Sequence, residues 1–207
     1  MYPFFKRLSD FILAINSLLI FFPLLLIVLF FVWKEDKHQP FFIAKRVGRK
    51  GKLFNMFKIR TMIYNSNIYK INSTSKDDKR ITKLGKLLRR YKIDEIPQLI
   101  NIFKGEMSFV GPRPNTYESG VELYTVRELS LLNLKPGITD IASIVFSDEA
   151  EILYKYNLKE ETADETYNRL IRPWKSELGL WYIKNSNFLL DLLLIFLSIS
   201  SIFNRKR

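Results

Sequence analysis

The longest apolar stretch of the chain covers residues 11–33, where only Asn16, Ser17 and Pro23 interrupt the hydrophobic pattern. This length suffices to cross a bilayer, and it exceeds the apolar core of a signal peptide. Because no small-residue cleavage site follows it, the pattern predicts a membrane segment that is retained in the protein.

Positive charges flank this segment on both sides. Lys6 and Arg7 precede it, and a series of basic residues beginning with Lys34 follows it. The positive-inside rule places both flanks in the cytoplasm, which a single span does not allow. Pro23 removes a backbone hydrogen bond near the middle and can kink a helix. We therefore expect residues 1–36 to form a re-entrant helix-break-helix with Pro23 at the break; a slightly kinked spanning anchor is the alternative.

A different pattern follows the membrane segment. Residues 41–43 form a short apolar run, residues 45–52 are basic and contain two glycines, and residues 53–62 partly alternate apolar and polar side chains. Alternation of this kind is typical of strands. We predict a short β-hairpin, whose basic turn either lies on anionic lipid headgroups or approaches a phosphate group.

Two helical patterns meet in the centre of the chain. Apolar residues recur at helical spacing on both sides of this point: Leu84, Leu87, Leu88 and Tyr91, then Ile96, Leu99, Ile100 and Phe103. Pro97 is tolerated only in the first turn of a helix, so we predict that the first helix ends near Ile93. The second then begins with Asp94 as its N-cap and Glu95 in its first turn, and it ends at Gly105.

This predicted helix start has a chemistry of its own. A helix N-terminus offers unpaired N–H groups and a partial positive charge, so a carboxylate there stays ionised and a phosphate is attracted. Pro112 and Pro114 hold Arg113 on a stiff backbone, where its planar guanidinium can grip a phosphate at little ordering cost. Asp94 and Glu95 also fit as ordinary helix-start residues, so the pattern alone leaves both interpretations open.

Weaker patterns continue in the second half of the chain. Residues 117–132 are predicted to form an amphipathic helix, and residues 134–139 a turn around a Pro-Gly pair. Residues 148–172 are rich in acidic side chains and also have a helical pattern. Residues 188–203 are apolar around Asp191 and are short for a span, which favours an amphipathic helix in the membrane interface.

Together these elements predict an α+β fold that is mostly helical. Residues 1–36 are expected to form the re-entrant membrane helix. Residues 37–187 are long enough to form a small globular cytoplasmic domain with the short β-hairpin. Residues 188–207 are expected to form the interfacial amphipathic helix and its basic tail.

Composition narrows the choice of partners. The chain has 207 residues with 33 Lys and Arg against 21 Asp and Glu, a formal net charge of +12. Such an excess favours a polyanionic partner, and the apolar segment favours inner-membrane lipid and phosphorylated ligands over nucleic acid. The sequence contains no Cys, which excludes disulfides and thiolate metal sites within this chain.

Several motifs resemble the bacterial sugar transferase family. They are Asp94-Glu95, the run Phe-Lys-Gly-Glu-Met-Ser-Phe-Val-Gly-Pro-Arg-Pro at 103–114, and Pro-Gly-Ile-Thr at 136–139. The members of this family are monotopic phosphoglycosyl transferases that begin lipid-linked glycan assembly, and the similarity extends over nearly the whole chain. Relatives often continue the last motif with Gly-Trp-Ala, whereas residues 140–143 here read Asp-Ile-Ala-Ser; this departure affects the identity of the sugar.

The residues and the resemblance jointly imply a two-step phosphosugar transfer at the cytoplasmic face of the bacterial inner membrane. Asp94 attacks the β-phosphate of a UDP-sugar and releases UMP, and undecaprenyl phosphate then takes the sugar phosphate. Glu95 is expected to hold Mg²⁺, and Arg113 to grip a phosphate. Further phosphate contacts are expected from four basic residues: Arg46, Lys58, Arg60 and Arg89. A non-catalytic membrane-surface adaptor that binds anionic lipid is the alternative.

Overall fold

The computed structural model describes residues 2–64, 78–118, 121–156 and 161–204. Its first element, α1 (Tyr2–Asp36), is the one helix among these residues that is long and apolar enough to cross a membrane. The helix continues through Pro23. Two separate helices with a break between them, as the sequence predicts, are therefore not seen.

The predicted hairpin is confirmed. Strands β1 (Phe41–Val47) and β2 (Leu53–Ile59) pair antiparallel, with Phe41 opposite Ile59 and Val47 opposite Leu53. Phe54 and Met56 lie on one face of β2 and are buried in one core cluster, whereas Ile59 lies on the opposite face and is buried in another. The strand is thus packed on both faces, and Lys58 extends from the same face as Met56.

The central helices begin and end differently from the prediction. Helix α2 (Lys83–Arg90) is followed by a separate 3₁₀ turn (Ile93–Glu95), and α3 (Gln98–Lys104) begins only after Pro97. Asp94 is therefore not an N-cap, and Glu95 is not in the first turn of α3. The reason is Lys92, whose left-handed conformation (φ 57°, ψ 19°) turns the chain before the acidic pair.

The end of α3 follows the sequence prediction. Gly105 has φ 82° and closes the helix, a conformation that glycine adopts without steric cost. The backbone N–H groups of Glu106 and Met107 then donate to the carbonyl of Asn101. The chain therefore leaves α3 in a tight turn and enters the next strand directly.

A short parallel sheet was not predicted. Strand β3 (Ser108–Val110) pairs with β4 (Gly137–Thr139), so the prediction of a simple turn at residues 134–139 is wrong. Two glycines make this pairing possible, because a Cβ on Gly137 would lie 2.2 Å from the backbone N of Gly111. Strands of three residues carry no readable alternation, which explains why sequence patterns missed them.

The elements that the structure describes in the rest of the chain are helices, most of them α-helices. Residues 117–132 were predicted as a helix, but their described part contains two 3₁₀ segments, Val121–Leu123 and Glu128–Asn133. The helices that follow are α4 (Ile141–Val145), α5 (Glu149–Tyr156), α6 (Ala163–Leu170), α7 (Arg172–Asn185) and α8 (Phe188–Asn204). Helix is thus confirmed for most of the described part of the acid-rich region and for residues 188–203. The location of α8 in a membrane interface stays a prediction.

Both halves of α1 pack on the hairpin and the central helices. In one core cluster, Ala14 lies with Phe54, Met56, Leu99, Ile102 and Met107. In another, Leu25, Val28 and Val32 lie with Ile59 and Leu88. Between them, Leu19 and Ile20 are 70% and 72% exposed. The middle of α1 therefore presents apolar side chains outward while both halves stay attached to the domain.

A polar cluster joins the start of α1 to α8. Asp191 is buried, and its Oδ2 accepts hydrogen bonds from the Tyr2 hydroxyl at 2.7 Å and from Lys6 Nζ at 2.5 Å. Its Oδ1 accepts a hydrogen bond from the Tyr182 hydroxyl at 2.5 Å. The charge that interrupts the apolar pattern of α8 is therefore neutralised by a lysine of the N-terminal helix.

Candidate active site

Glu95 is the centre of a buried group of charges. Its Oε1 accepts hydrogen bonds from Lys58 Nζ at 3.0 Å and from Arg113 Nη2 at 3.2 Å, and only 7% of the residue is exposed. The three residues come from different elements: the 3₁₀ turn, β2, and the loop after β3. The fold thus brings together three side chains that the sequence analysis had selected separately.

Asp94 lies beside Glu95 and is equally buried. Burial raises the pKa of Asp94, and the negative charge of Glu95 raises it further, while Lys58, Lys92 and Arg89 oppose the shift. A carboxylate with a raised pKa is a stronger base and nucleophile once it is ionised. The sequence analysis expected a helix N-terminus to keep Asp94 ionised. In the structure, burial instead raises its pKa and favours the protonated form.

The neighbouring carboxylate behaves differently. Burial alone would raise the pKa of Glu95, but the positive charges of Lys58, Lys92 and Arg113 outweigh it and hold that pKa well below its ordinary value. Glu95 therefore stays ionised near neutral pH. Two adjacent acids with pKa shifts of opposite direction are an arrangement that separates a reactive group from a charge-binding group.

The backbone around Arg113 is fixed by Asp140. Asp140 Oδ2 accepts a hydrogen bond from the backbone N–H of Arg113 at 3.1 Å, and the same side chain caps the start of α4. Glu95, Asp140 and Glu149 hold the pKa of Arg113 above its ordinary value, against the effect of burial. The proline-flanked arginine is thus positioned by the parallel sheet and by a helix cap, and it remains cationic.

Arg46 lies near Arg113 and has a buried, unsatisfied donor. Its Nε has no hydrogen-bond partner within the described part of the chain. Burial and then the positive charge of Arg113 lower the pKa of Arg46 to about 10. A buried donor without a partner is costly, and two neighbouring guanidinium groups repel each other. Both costs are relieved when an anion with several oxygens lies between them.

The other predicted phosphate contacts separate into two groups. Arg89 donates from Nε to Thr61 Oγ1 at 2.8 Å, and its charge acts on Asp94, so it belongs to the cluster. Arg60 does not. Its Nη1 and Nη2 lie 2.5 and 2.6 Å from the two carboxylate oxygens of Asp36, an arrangement that ties the end of α1 to the hairpin.

Sequence reasoning missed two residues that shape this site. Lys92 provides the left-handed turn before the acidic pair, and its charge acts on both acids. Asn101 is fully buried and donates to the Asn55 carbonyl at 2.7 Å, which fastens α3 to β2. The sequence could have indicated Lys92, because this lysine lies two positions before Asp94. It gave no signal for Asn101, whose partner Asn55 is 46 positions away.

The donor set for a metal ion is small. Among the described residues, no group of three or more His, Asp or Glu side chains is close enough to hold a metal. Mg²⁺ usually binds one or two carboxylates, completes its shell with substrate phosphates and keeps several waters. Asp94 and Glu95 fit that mode, although Lys58 and Arg113 already share one oxygen of Glu95.

A cleft opens on the other side of Arg113. The space inside it is about 40 Å³, and the cleft is partly open to solvent. The loop after β3, the start of α4 and one side of α6 and α7 form its walls, with Asn115, Tyr124 and Tyr167 among the lining residues. A ligand held at Arg113 would therefore meet these residues at the open side of the cleft.

Comparison with known proteins places these residues in a family context. The model of a family described as bacterial sugar transferase matches residues 1–205. The chain is 30% identical over 207 residues to UDP-N-acetylgalactosamine-undecaprenyl-phosphate N-acetylgalactosaminephosphotransferase from Aeromonas hydrophila, covering 97% of this chain and 44% of that protein. It is 33% identical over 201 residues to UDP-glucose:undecaprenyl-phosphate glucose-1-phosphate transferase from Klebsiella pneumoniae, covering 94% and 39%.

A shorter relative matches over most of its length. The chain is 31% identical over 212 residues to an exopolysaccharide production protein from Sinorhizobium fredii, covering 95% of this chain and 84% of that protein. The chain spans about two fifths of the length of the first two relatives. All three alignments include nearly the whole chain, from the apolar helix to the C-terminal region.

Proposed function

We propose, since this chain belongs to the bacterial sugar transferase family, that it transfers a sugar 1-phosphate from a UDP-sugar to undecaprenyl phosphate and releases UMP. The names of two relatives support these substrate classes, because each contains a UDP-sugar and undecaprenyl phosphate. The observation that carries the proposal is the burial of Asp94 beside Glu95, whose carboxylate pairs with Lys58 and Arg113.

In the first step, an ionised carboxylate oxygen of Asp94 attacks the β-phosphorus of the UDP-sugar. The bond between this phosphorus and the oxygen that bridges to the α-phosphate breaks, and UMP leaves with the electron pair. The sugar phosphate remains on Asp94 as an acyl phosphate. The raised pKa of Asp94 supports this role because it makes the ionised carboxylate more nucleophilic.

In the second step, a phosphate oxygen of undecaprenyl phosphate attacks the same phosphorus. The bond to Asp94 breaks, the carboxylate is regenerated, and the product is a lipid diphosphosugar. No net proton is gained or lost in either displacement. The product has the chemistry of a lipid carrier on which polysaccharide or glycoconjugate synthesis begins, in agreement with the name of the Sinorhizobium fredii relative.

The cations of the site neutralise the phosphates during these steps. Arg113 and Arg46 provide two neighbouring guanidinium groups, and the unpartnered Nε of Arg46 is available to a phosphate oxygen. Lys58 and Arg89 add positive charge around Asp94. Glu95 would help to hold Mg²⁺, which when bound supplies further neutralisation of phosphate charge.

The proposed topology keeps both ends of α1 on the cytoplasmic side of the inner membrane. Arg7 near its start donates to the Ile102 carbonyl at 2.7 Å, and Asp36 at its end pairs with Arg60 after β2. The ends of a straight helix of this length lie about 50 Å apart. Contacts of both ends with one small domain favour re-entry of α1, with the exposed middle in the bilayer; because the helix is unbroken at Pro23, re-entry would occur through a bend at this proline and not through a break between two helices.

The absence of Cys from the sequence makes this topology testable. Single cysteines introduced as Phe4→Cys and Glu35→Cys should both react with a membrane-impermeant maleimide in inverted membrane vesicles and be protected in intact spheroplasts. Labelling of the two positions from opposite sides would identify a spanning anchor and contradict the re-entrant topology.

The activity is tested with detergent-purified protein, a panel of UDP-sugars and undecaprenyl phosphate, with and without Mg²⁺. Release of UMP with formation of a lipid diphosphosugar is expected, and chelation of the metal should stop it. Asp94→Asn and Asp94→Ala should abolish both transfer and a trapped phosphosugar adduct, whereas Glu122→Gln, an exposed acid-to-amide control, should retain them.

The same experiment separates the transferase from the adaptor alternative. An adaptor that binds anionic lipid has no need of a buried acidic pair. Replacing Asp94 would then change stability alone, and no UDP-sugar in the panel would yield UMP. Strong transfer by either Asp94 variant would remove the nucleophile assignment while leaving the transferase activity in place.

A further inference from the structure

The cleft beside Arg113 shares this residue with the proposed active site. The Arg113 guanidinium contacts Glu95 on one side, and the residue lines the cleft on the other. Lys175 and Asp140 lie along the same walls. If a phosphate is held at Arg113, the part of the ligand that it carries enters this cleft.

Two tyrosines give the cleft aromatic surfaces. Tyr124 and Tyr167 both line it, and each ring has a cation nearby: Arg172 at 5.9 Å from the Tyr124 centroid and Lys175 at 5.1 Å from the Tyr167 centroid. Burial raises the pKa of both hydroxyl groups, so both tyrosines remain neutral. Flat aromatic surfaces of this kind stack on nucleobases.

A fixed amide accompanies the aromatic rings. Asn115 Nδ2 donates to the Tyr124 hydroxyl at 2.7 Å, and the backbone carbonyl of Asn115 accepts from the backbone N–H of Val47. The backbone of Asn115 is thereby tied to the end of β1, while its side chain is held by Tyr124. A primary amide has both a donor and an acceptor, as does the imide edge of uracil.

The carboxylates near the cleft are already engaged. Asp140 caps α4 through Ser143 and accepts from the backbone of Arg113. Glu149 is paired with Lys175. Carboxylates are the usual strong acceptors for the several hydroxyl groups of a sugar. Their existing contacts, together with the two aromatic rings, favour a nucleoside over a hexose in this cleft.

We propose that the cleft binds the uridine of the UDP-sugar, with Tyr124 and Tyr167 as aromatic walls and Asn115 as the amide that contacts the base. The inference rests on the proposed function, because Arg113 must hold the diphosphate for uridine to enter the cleft. It assigns the sugar to another part of the site. Residues at the cleft should therefore affect all UDP-sugars alike.

The test compares Tyr167→Ala with Tyr167→Phe and with Tyr154→Ala, an exposed tyrosine on α5 that serves as the matched control. The dissociation constant for UMP is measured by calorimetry on the purified full chain in detergent. Tyr167→Ala should weaken UMP binding by about ten-fold or more, as expected for loss of one stacking contact. Tyr167→Phe keeps the ring and should have a smaller effect, and Tyr154→Ala should bind UMP as the parent protein does.

Steady-state kinetics then show whether the cleft binds the uridine or the sugar of the UDP-sugar. Tyr167→Ala should raise KM by a similar factor for every UDP-sugar that the parent protein uses. An unchanged UMP affinity, or a change confined to some UDP-sugars, would overturn the uridine assignment. If either of these results is obtained while the parent protein still transfers sugar phosphate, only the uridine assignment fails. If the parent protein neither binds UMP nor releases it, the proposed function is contradicted as well.

A second measurement uses the unaltered protein, in case Tyr167→Ala does not fold. Photo-crosslinking with 5-iodo-UMP followed by peptide mass spectrometry should place the adduct on Tyr124 or Tyr167, and excess UMP should suppress it. A UMP-competed adduct located instead on β1 or α2 would move uridine to the opposite side of Arg113 and overturn the assignment.

Discussion

Lys58 Nζ lies 3.0 Å from Glu95 Oε1, and the two residues are 37 positions apart in the sequence. The contact joins the hairpin to the 3₁₀ turn that carries the acidic pair. Their side chains are 19% and 8% exposed. Because the pair is removed from solvent, each charge depends on the other for compensation.

Replacing Lys58 should therefore damage both stability and activity. Lys58→Met removes one of the two cations that hydrogen-bond Glu95, and we expect a loss of about 3 kcal/mol in the free energy of unfolding, at the low end for a broken buried pair. Transfer should fall strongly because Asp94 loses a nearby cation. Urea unfolding and UMP release measure the two effects. Lys52→Met, at an exposed lysine before β2, is the control, and equal stability of the two variants would contradict a structural role for the pair.

The two acids should affect stability in opposite directions. The folded state binds the Asp94 proton more tightly than the unfolded chain does, so the stability contribution of Asp94 is present at low pH and lost as pH rises through its raised pKa. The pKa of Glu95 is lowered in the folded state, so its stability contribution is present above the pKa of the unfolded chain. This contribution is lost as pH falls through the lowered pKa. At neutral pH, Asp94→Asn should melt at a higher temperature than the parent protein, and Glu95→Gln at a lower one.

The same shifts predict the pH dependence of transfer. Activity should increase as pH rises through the raised pKa of Asp94, because only the ionised carboxylate attacks phosphorus. A rate profile measured with saturating substrates checks this. Two results would show that burial does not control the pKa of Asp94. One is a pH–rate profile whose acid-side pKa is at or below that of an ordinary aspartate, and the other is a lower melting temperature for Asp94→Asn.

The contact between Arg60 and Asp36 predicts a structural role for an arginine that sequence motifs had suggested as a phosphate contact. Arg60→Lys cannot reproduce the two-point contact with the carboxylate, so it should lower the melting temperature and leave KM for the UDP-sugar nearly unchanged. Arg113→Lys is the comparison, and it should raise KM. A similar KM increase in both variants would return Arg60 to the phosphate site.

The cluster around Asp191 predicts how the two apolar helices are held together. Asp191→Asn leaves Lys6 without its carboxylate partner and should cost about 3 kcal/mol or more in the free energy of unfolding. Limited proteolysis should then release the N-terminal helix more readily, while the exposed control Glu122→Gln should behave as the parent protein. Unchanged protease resistance in Asp191→Asn would argue that apolar packing alone holds α1 and α8 in place.

The sequence by itself determined the features that depend on neighbouring residues. Apolar length predicted a long apolar helix, alternation predicted the hairpin, and Gly105 predicted the end of α3; each is seen in the structure. The family resemblance, which rested on contiguous motifs, is also confirmed. These features could be read because periodicity and turn chemistry act within a few residues.

Tertiary structure alone decided which charges meet and what each one does. Folding placed Lys58 in contact with Glu95 and paired Arg60 with Asp36. It also paired the two three-residue strands that position Arg113. It also moved the pKa values of the adjacent acids in opposite directions, since desolvation and the arrangement of distant cations differ between two side chains that are neighbours in sequence. Burial and long-range contacts arise only when the chain is folded, and for that reason no local pattern contained them.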